Sequence, residues 1–125
     1  MPANGDLDGM WQIVEIEHDG QTRNVQAEQV YMSIQLRLFQ LTDYPGNTVY
    51  GYFEHKGDEI RFWQFSYPSQ QESAEDNNLP YTDQDVNKLS KWGYYSLNET
   101  FHVEKLTRNI LVMKSDSARI KYIKF

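Results

Sequence analysis

Cysteine is absent from this chain of 125 residues. That absence excludes disulfides, thiolate nucleophiles and cysteine-based metal centres together. Long apolar runs are absent too, and nothing approaches the roughly 18 consecutive apolar residues of a membrane-spanning helix. Positive charge is scarce: Lys and Arg number 12 against 18 Asp and Glu, so the formal net charge is -6. The sequence pI is about 4.9. A phosphate backbone is repelled by that balance, and nucleic acid is not expected as a partner. Gly-rich phosphate loops, a Gly-x-Ser-x-Gly elbow and a His-x-x-x-His pair are missing, as are internal repeats. Met1–Asp8 lacks the apolar stretch of a signal peptide, so none is expected within this chain. Residues 1–8 read as a flexible stub ahead of a single domain over 9–125, a length that favours one core.

Aromatic side chains are plentiful, at 14% of the chain, with nine Tyr, six Phe and three Trp. Such residues favour strands, and most are expected in the core or in cross-strand pairs. The pattern predicts strand after strand. Met10–His18 is the first, with a bulge near Ile13-Val14 because neither face is cleanly apolar. Asp19-Gly20 is a hairpin turn, Gln21–Gln26 a short polar strand, and Ala27-Glu28 the next turn. Gln29–Leu41 reads as one long strand, with Val30, Met32, Ile34, Leu36 and Leu38 on one face; a period of two over such a length excludes an amphipathic helix. Thr42–Asn47 is a turn preset by Pro45-Gly46. Thr48–His55 and Glu59–Ser66 flank the tight turn Lys56–Asp58, with Phe62 on one face of the latter strand and Trp63 and Phe65 on the other.

Tyr67–Leu79 is rich in Ser, Gln, Glu, Asp and Asn and reads as a loop. Thr82 is a good N-cap, Asp83 and Asp85 suit a first helical turn, and Gly93 suits the end. A single short helix is therefore expected over Asp83–Lys91. Strands Thr100–Leu106, Ile110–Ser115 and Ala118–Phe125 complete the chain, with Tyr94-Tyr95 as an early start to the first of these.

Eight strands joined mostly by short turns predict an all-β, eight-stranded antiparallel up-and-down barrel, with one short helix in the insertion between strands five and six. Closure pairs the first strand with the last. Connections alternate between two ends, so the turns at Asp19-Gly20, Thr42–Asn47, Tyr67–Gly93 and Asp116-Ser117 share the end opposite Trp11. The long insertion thus sits over the far mouth. It reads either as a lid or rim for a ligand, or as a plug that completes the core with Val86, Leu89 and Trp92.

Other chemistry is thin. His18, His55 and His102 do not converge on this topology, so no metal and no haem are expected. Glu72, Glu75, Asp76, Asp83 and Asp85 gather in the insertion without the spacing of a calcium loop. Asn98-Glu99-Thr100 is a formal glycosylation sequon. Converging polar groups inside the barrel would have to come from Glu15, Gln64 and His102, too few for a catalytic constellation, and no catalytic residues or cofactor are assigned.

Gly9-x-Trp11 opening the first strand, with the closing hairpins Thr100–Val103, Lys105-Leu106, Ile110–Ser115 and Ile120–Lys124, resembles the lipocalin and wider calycin group. It looks most like the lipocalin-like domains of secreted proteins and lipoproteins of Bacteroidetes bacteria. The resemblance implies that Gly9 and Trp11 form the closed end, with Trp11 beside a basic residue near the last strand: Arg119, Lys121 or Lys124. It also implies export to the periplasm or outer surface, with a lipid anchor upstream of Met1. The sequence departs from lipocalins in its short first loop and in the place of its helix. Fatty-acid-binding proteins share the Gly-x-Trp strand but carry a helix pair between their first two strands, which is missing here.

The expected function is non-catalytic binding of a small, largely apolar ligand inside a monomeric barrel. Its lining and rim would be Met32, Ile34, Leu36, Trp63, Tyr67, Tyr81, Trp92 and Tyr94. The alternative is a barrel filled by its own side chains, acting as a protein-interaction or scaffold domain through its aromatic outer faces.

Overall fold

Short β-branched and aromatic runs, separated by turns, become ten strands in the computed structural model, which describes residues 5–67 and 79–125. They are β1 (Gly9–His18), β2 (Gln21–Asn24), β3 (Val30–Gln35), β4 (Leu38–Asp43) and β5 (Thr48–Lys56). The remainder are β6 (Glu59–Tyr67), β7 (Leu79–Pro80), β8 (Asn98–Leu106), β9 (Ile110–Lys114) and β10 (Ala118–Lys124). All pair antiparallel, and β1 pairs along its length with β10, from Trp11↔Lys124 to His18↔Ala118, which closes the sheet on itself.

The ten strands make an eight-stave barrel because two staves are broken. On its other edge β1 pairs with β2 through Glu15–His18 and with β3 through Gly9–Gln12. These two strands therefore run in the same direction, interrupted by a single 3₁₀ turn at Gln26–Glu28. Likewise β8 pairs with β6 up to Trp63, and β7 takes over at Ser66 and Tyr67.

Three expectations are corrected here. Gln29–Leu41 is two strands: the chain reverses at Leu36-Arg37, with Gln35 opposite Leu38. The interior set consequently switches from Val30, Met32 and Ile34 to Phe39 and Leu41, while Leu36 and Leu38 are exposed. At Ala27-Glu28 the chain does not reverse, because β2 and β3 share one neighbour and one direction. These two differences offset each other. The turns at Asp19-Gly20, Tyr44–Asn47 and Asp116-Ser117 still share one end with the insertion. The third correction concerns β6, where Gln64 adopts φ +55° opposite the register shift between Tyr50 and Tyr52. This bulge puts both Phe62 and Phe65 inside and Trp63 outside. The bulge expected near Ile13-Val14 is present, as a register shift between Ile13 and Glu15.

Residues 1–4 and 68–78 lie outside the described residues, and with them most of the loop read over Tyr67–Leu79, including Glu72, Glu75 and Asp76. Gly5–Asp8, read as the end of a flexible stub, is folded onto the barrel. A 3₁₀ turn at Gly5–Leu7 buries Leu7 completely, and the Trp11 Nε1–H donates to the Leu7 carbonyl at 2.9 Å. Of the three basic candidates near the last strand, Lys124 is the one that meets Trp11. Its ammonium lies 4.2 Å from the indole centroid and donates to the carbonyls of Asp6 (3.0 Å) and Asp8 (2.6 Å).

Candidate functional site at the barrel mouth

The insertion determines what the barrel can hold. Thr82 begins its helix as expected: the Thr82 N–H and hydroxyl both donate to Asp85 Oδ2, at 2.9 and 3.1 Å. The helix is 3₁₀ in type and runs Asp83–Trp92, one residue beyond expectation. Gly93 ends it at φ +91°, and a Cβ there would stand 2.5 Å from Ile120 Cδ1, so glycine is needed both for the left-handed turn and for the approach.

That turn sends Tyr94 into the barrel rather than into a strand. Its ring is fully buried and has its centroid 5.2 to 6.3 Å from those of Phe39, Phe62, Phe65 and Phe101. Its hydroxyl reaches Met32 Sδ at 3.5 Å. Leu89 and Trp92 are buried above it. The four phenylalanine contacts, three edge to face and one stacked, place Tyr94 in the packed aromatic core of the barrel.

The last helical turn also fills a seam. Above Val30, β2 has β1 as its partner and does not pair with β4. The helix lies across the gap. Arg23 of β2 donates to the Ser90 carbonyl at 2.7 Å. On the β4 side, Trp92 Nε1–H donates to the Thr42 carbonyl at 2.9 Å and Lys91 Nζ to Asp43 Oδ2 at 2.6 Å. Asp43 also accepts from the Gly46 and Asn47 backbone N–H groups and from the Asn47 amide, at 2.8 to 3.0 Å. Burial pushes its carboxyl up, but Lys91 and Asn47 together outweigh it and hold the pKa below the ordinary value.

Between this plug and the β4–β5 turn lies a cavity of about 550 Å³. Its walls are Gly46, Asn47, Thr48, Tyr67, Tyr81, Lys88, Lys91 and Trp92. Tyr67 and Tyr81 meet edge to face at 5.5 Å. Tyr81 is also a wall of a second hollow, about 710 Å³, that includes Leu38, Tyr50, Tyr52, Gln64, Ser66 and Leu97. Burial raises the Tyr81 phenol pKa, so the group is a neutral hydroxyl at pH 7. Lys88 bonds Asp85 at 2.9 Å; hydrogen bonding to that carboxylate raises the lysine pKa, while the Thr82 N–H and then Lys88 lower that of Asp85.

The eight residues expected to line a ligand site therefore separate. Tyr67, Tyr81 and Trp92 converge on the mouth cavity. Met32, Ile34 and Tyr94 belong to the packed core. Trp63 lies on the outer face under the Arg61 guanidinium, 4.6 Å from its ring. Leu36 lies in the β3–β4 turn, 63% exposed, and cannot line an interior. Lys88, Lys91, Asn47 and Thr48 went unnoticed in the sequence. The available signal was the spacing of Lys88 and Lys91, which puts them together on a helix ending in an aromatic.

The polar residues weighed for chemistry do not converge inside. His102 and Gln64 are exposed, and Glu15 faces an outer hollow with Glu17, Lys105 and Arg119. His18 stacks on Tyr95 at 3.8 Å with Nδ1 2.6 Å from the Ser117 carbonyl. Among the described residues there is no group of three or more His, Asp or Glu placed to hold a metal ion. No described helix is long and apolar enough to cross a membrane.

A family model described as a lipocalin-like domain matches residues 1–125. Two solved structures share the fold. A lipocalin-like protein from Bacteroides uniformis superposes with a TM-score of 0.68 at 24% identity, covering 97% of this chain and 100% of its own. An uncharacterized protein from Bacteroides eggerthii does so with 0.67 at 23%, covering 95% and 99%. No curated protein matches the chain.

Proposed function

We propose, from the premise that this chain belongs to the lipocalin-like domain family, that it is a non-catalytic binding protein whose ligand seats at the mouth of the barrel. The ligand is a small, largely apolar molecule lying against Tyr67, Tyr81 and Trp92. The observation that carries this reading is the convergence of those three aromatics on one cavity of about 550 Å³, within the size range of small-molecule sites. The lipocalin-like fold is typically a binding fold; here the place inside the barrel is taken by Tyr94 and its four phenylalanine neighbours, which moves the site outward. Export from the cytoplasm fits this reading, as a monomer held by a lipid anchor upstream of Met1.

Native mass spectrometry after incubation with a small-molecule extract tests it. One molecule retained per chain, and lost in Tyr81→Ala, is the expected result. Equal retention by Tyr81→Ala overturns the placement.

A second reading is favoured by a different observation. On the outer face, Leu38 stands directly opposite Tyr52, and Tyr52 opposite Trp63, with Leu38 and Tyr52 exposed. Such a row suits the face of an interaction domain. The paired substitution Leu38→Ser with Tyr52→Ser separates the two: it removes partner association while ligand retention at the mouth persists.

A further inference from the structure

We infer that the mouth cavity takes an organic anion: a flat apolar body against Tyr67, Tyr81 and Trp92, and a carboxylate or sulfonate group met by Lys88 and Lys91. The inference rests on the mouth-binding reading and adds the charge of the ligand. Lys88 and Lys91 are the charged residues of the cavity wall, which contains no Asp or Glu among its described residues. In a chain with six excess negative charges, this wall presents two ammonium groups to the cavity, each with its carboxylate partner outside the lining.

Both ammoniums are paired with a carboxylate. The Lys91 Nζ lies 2.6 Å from Asp43 Oδ2, whose side chain is only 2% exposed. The Lys88 Nζ lies 2.9 Å from Asp85 Oδ1, and that carboxylate is turned back onto Thr82. Each pairing engages one of an ammonium's three N–H donors. The buried Asp43 carboxylate is a fixed strut behind Lys91, which limits the rotamer entropy that side chain loses on binding; Lys88 is paired at the surface, its side chain 63% exposed.

The rings beneath fix how such a ligand lies. Lys88 Nζ stands 6.0 Å from the Tyr67 ring centroid and Lys91 Nζ 5.4 Å from that of Trp92. An apolar body on those rings therefore brings its edge beneath both ammoniums. Thr48 and Asn47 line the same cavity; the Thr48 hydroxyl and the one Asn47 amide hydrogen not given to Asp43 are neutral donors for the remaining anion oxygens. Uncharged apolar molecules gain the rings alone.

The test uses two fluorescent probes with the same aromatic skeleton: anilinonaphthalene sulfonate and the uncharged N-phenylnaphthylamine, titrated into the full chain. The expected result is that the sulfonate binds about tenfold more tightly, as one charge-assisted contact suggests. That preference shrinks in Lys88→Gln, where Lys91 alone remains, and shrinks with added salt. Lys88 is exposed and carries little of the fold, so Lys88→Gln retains the wild-type urea midpoint. Equal affinity for the two probes, or a preference of unchanged size in Lys88→Gln, overturns the inference and leaves mouth binding standing. Failure of both probes to bind overturns the mouth reading, and this inference with it.

Discussion

Lys124 shows how much one side chain can organise. Its ammonium covers the Trp11 ring and ties down the backbone at Asp6 and Asp8, and it lies close over residue 9, where φ +121° favours glycine. Burial lowers its pKa, against the pull of Asp6 and Asp8. Lys124→Met is expected to lower stability by about 1–2 kcal/mol, from the lost cation–π contact and two carbonyls without their donor, read as a shift in urea midpoint. Glu99 behaves in the opposite sense. It is 5% exposed, and burial raises its pKa, with the Tyr95 N–H opposing and Asp116 adding to the rise. A carboxyl with a raised folded-state pKa contributes stability below the ordinary carboxylate range and loses it as pH rises through the folded value. Glu99→Gln should therefore raise the urea midpoint at pH 7 and give no gain at a pH below the ordinary carboxylate range. A wild-type midpoint equal to that of the variant at pH 7 would contradict the assignment.

At the scale of elements, what was legible followed local chemistry. The Asp19-Gly20 and Pro45-Gly46 turns, the Thr82 start and the Gly93 stop were readable because those residues force or favour particular backbone angles. Leu36-Arg37 was not, because Leu36 adopts φ +58°, where a leucine is rarely found, and the apolar alternation runs unbroken through it. The Gln64 bulge was hidden in the same way. The position of the insertion over the mouth came out of parity because the two misread connections, at Ala27-Glu28 and Leu36-Arg37, offset each other. That Tyr94 fills the interior was not legible, since nothing local distinguishes a tyrosine entering a core from one starting a strand. Two measurements follow. Leu36→Asn is expected to stabilise by about 0.5–1 kcal/mol by suiting the left-handed backbone. Leu89→Ala, at a site with no exposure, should cost about 2–4 kcal/mol and uncover the plug, seen as increased protease cleavage near the helix.

For the whole molecule the decisive fact is closure. The β1–β10 ladder joins residues at the two ends of the sequence, and without it β1 and β10 would each present an open edge. Removing 118–125 is expected to abolish cooperative unfolding and to produce aggregates on size exclusion, whereas a shortening that spares Lys124 leaves the barrel intact.

The seam between β2 and β4 carries a consequence in time. Its filler, Ser90–Trp92, bonds to Arg23, Thr42 and Asp43 across 67, 50 and 48 positions respectively. Loop closure over such separations costs entropy that only an assembled sheet repays, so the wedge docks only where β2 and β4 are already in place. The wall formed by Lys88, Lys91 and Trp92 exists only once it has entered. An occupant of the mouth is thus a bolt on that door: it lengthens the lifetime of the closed seam, and amide exchange across Ser90–Tyr94 slows in proportion to its occupancy.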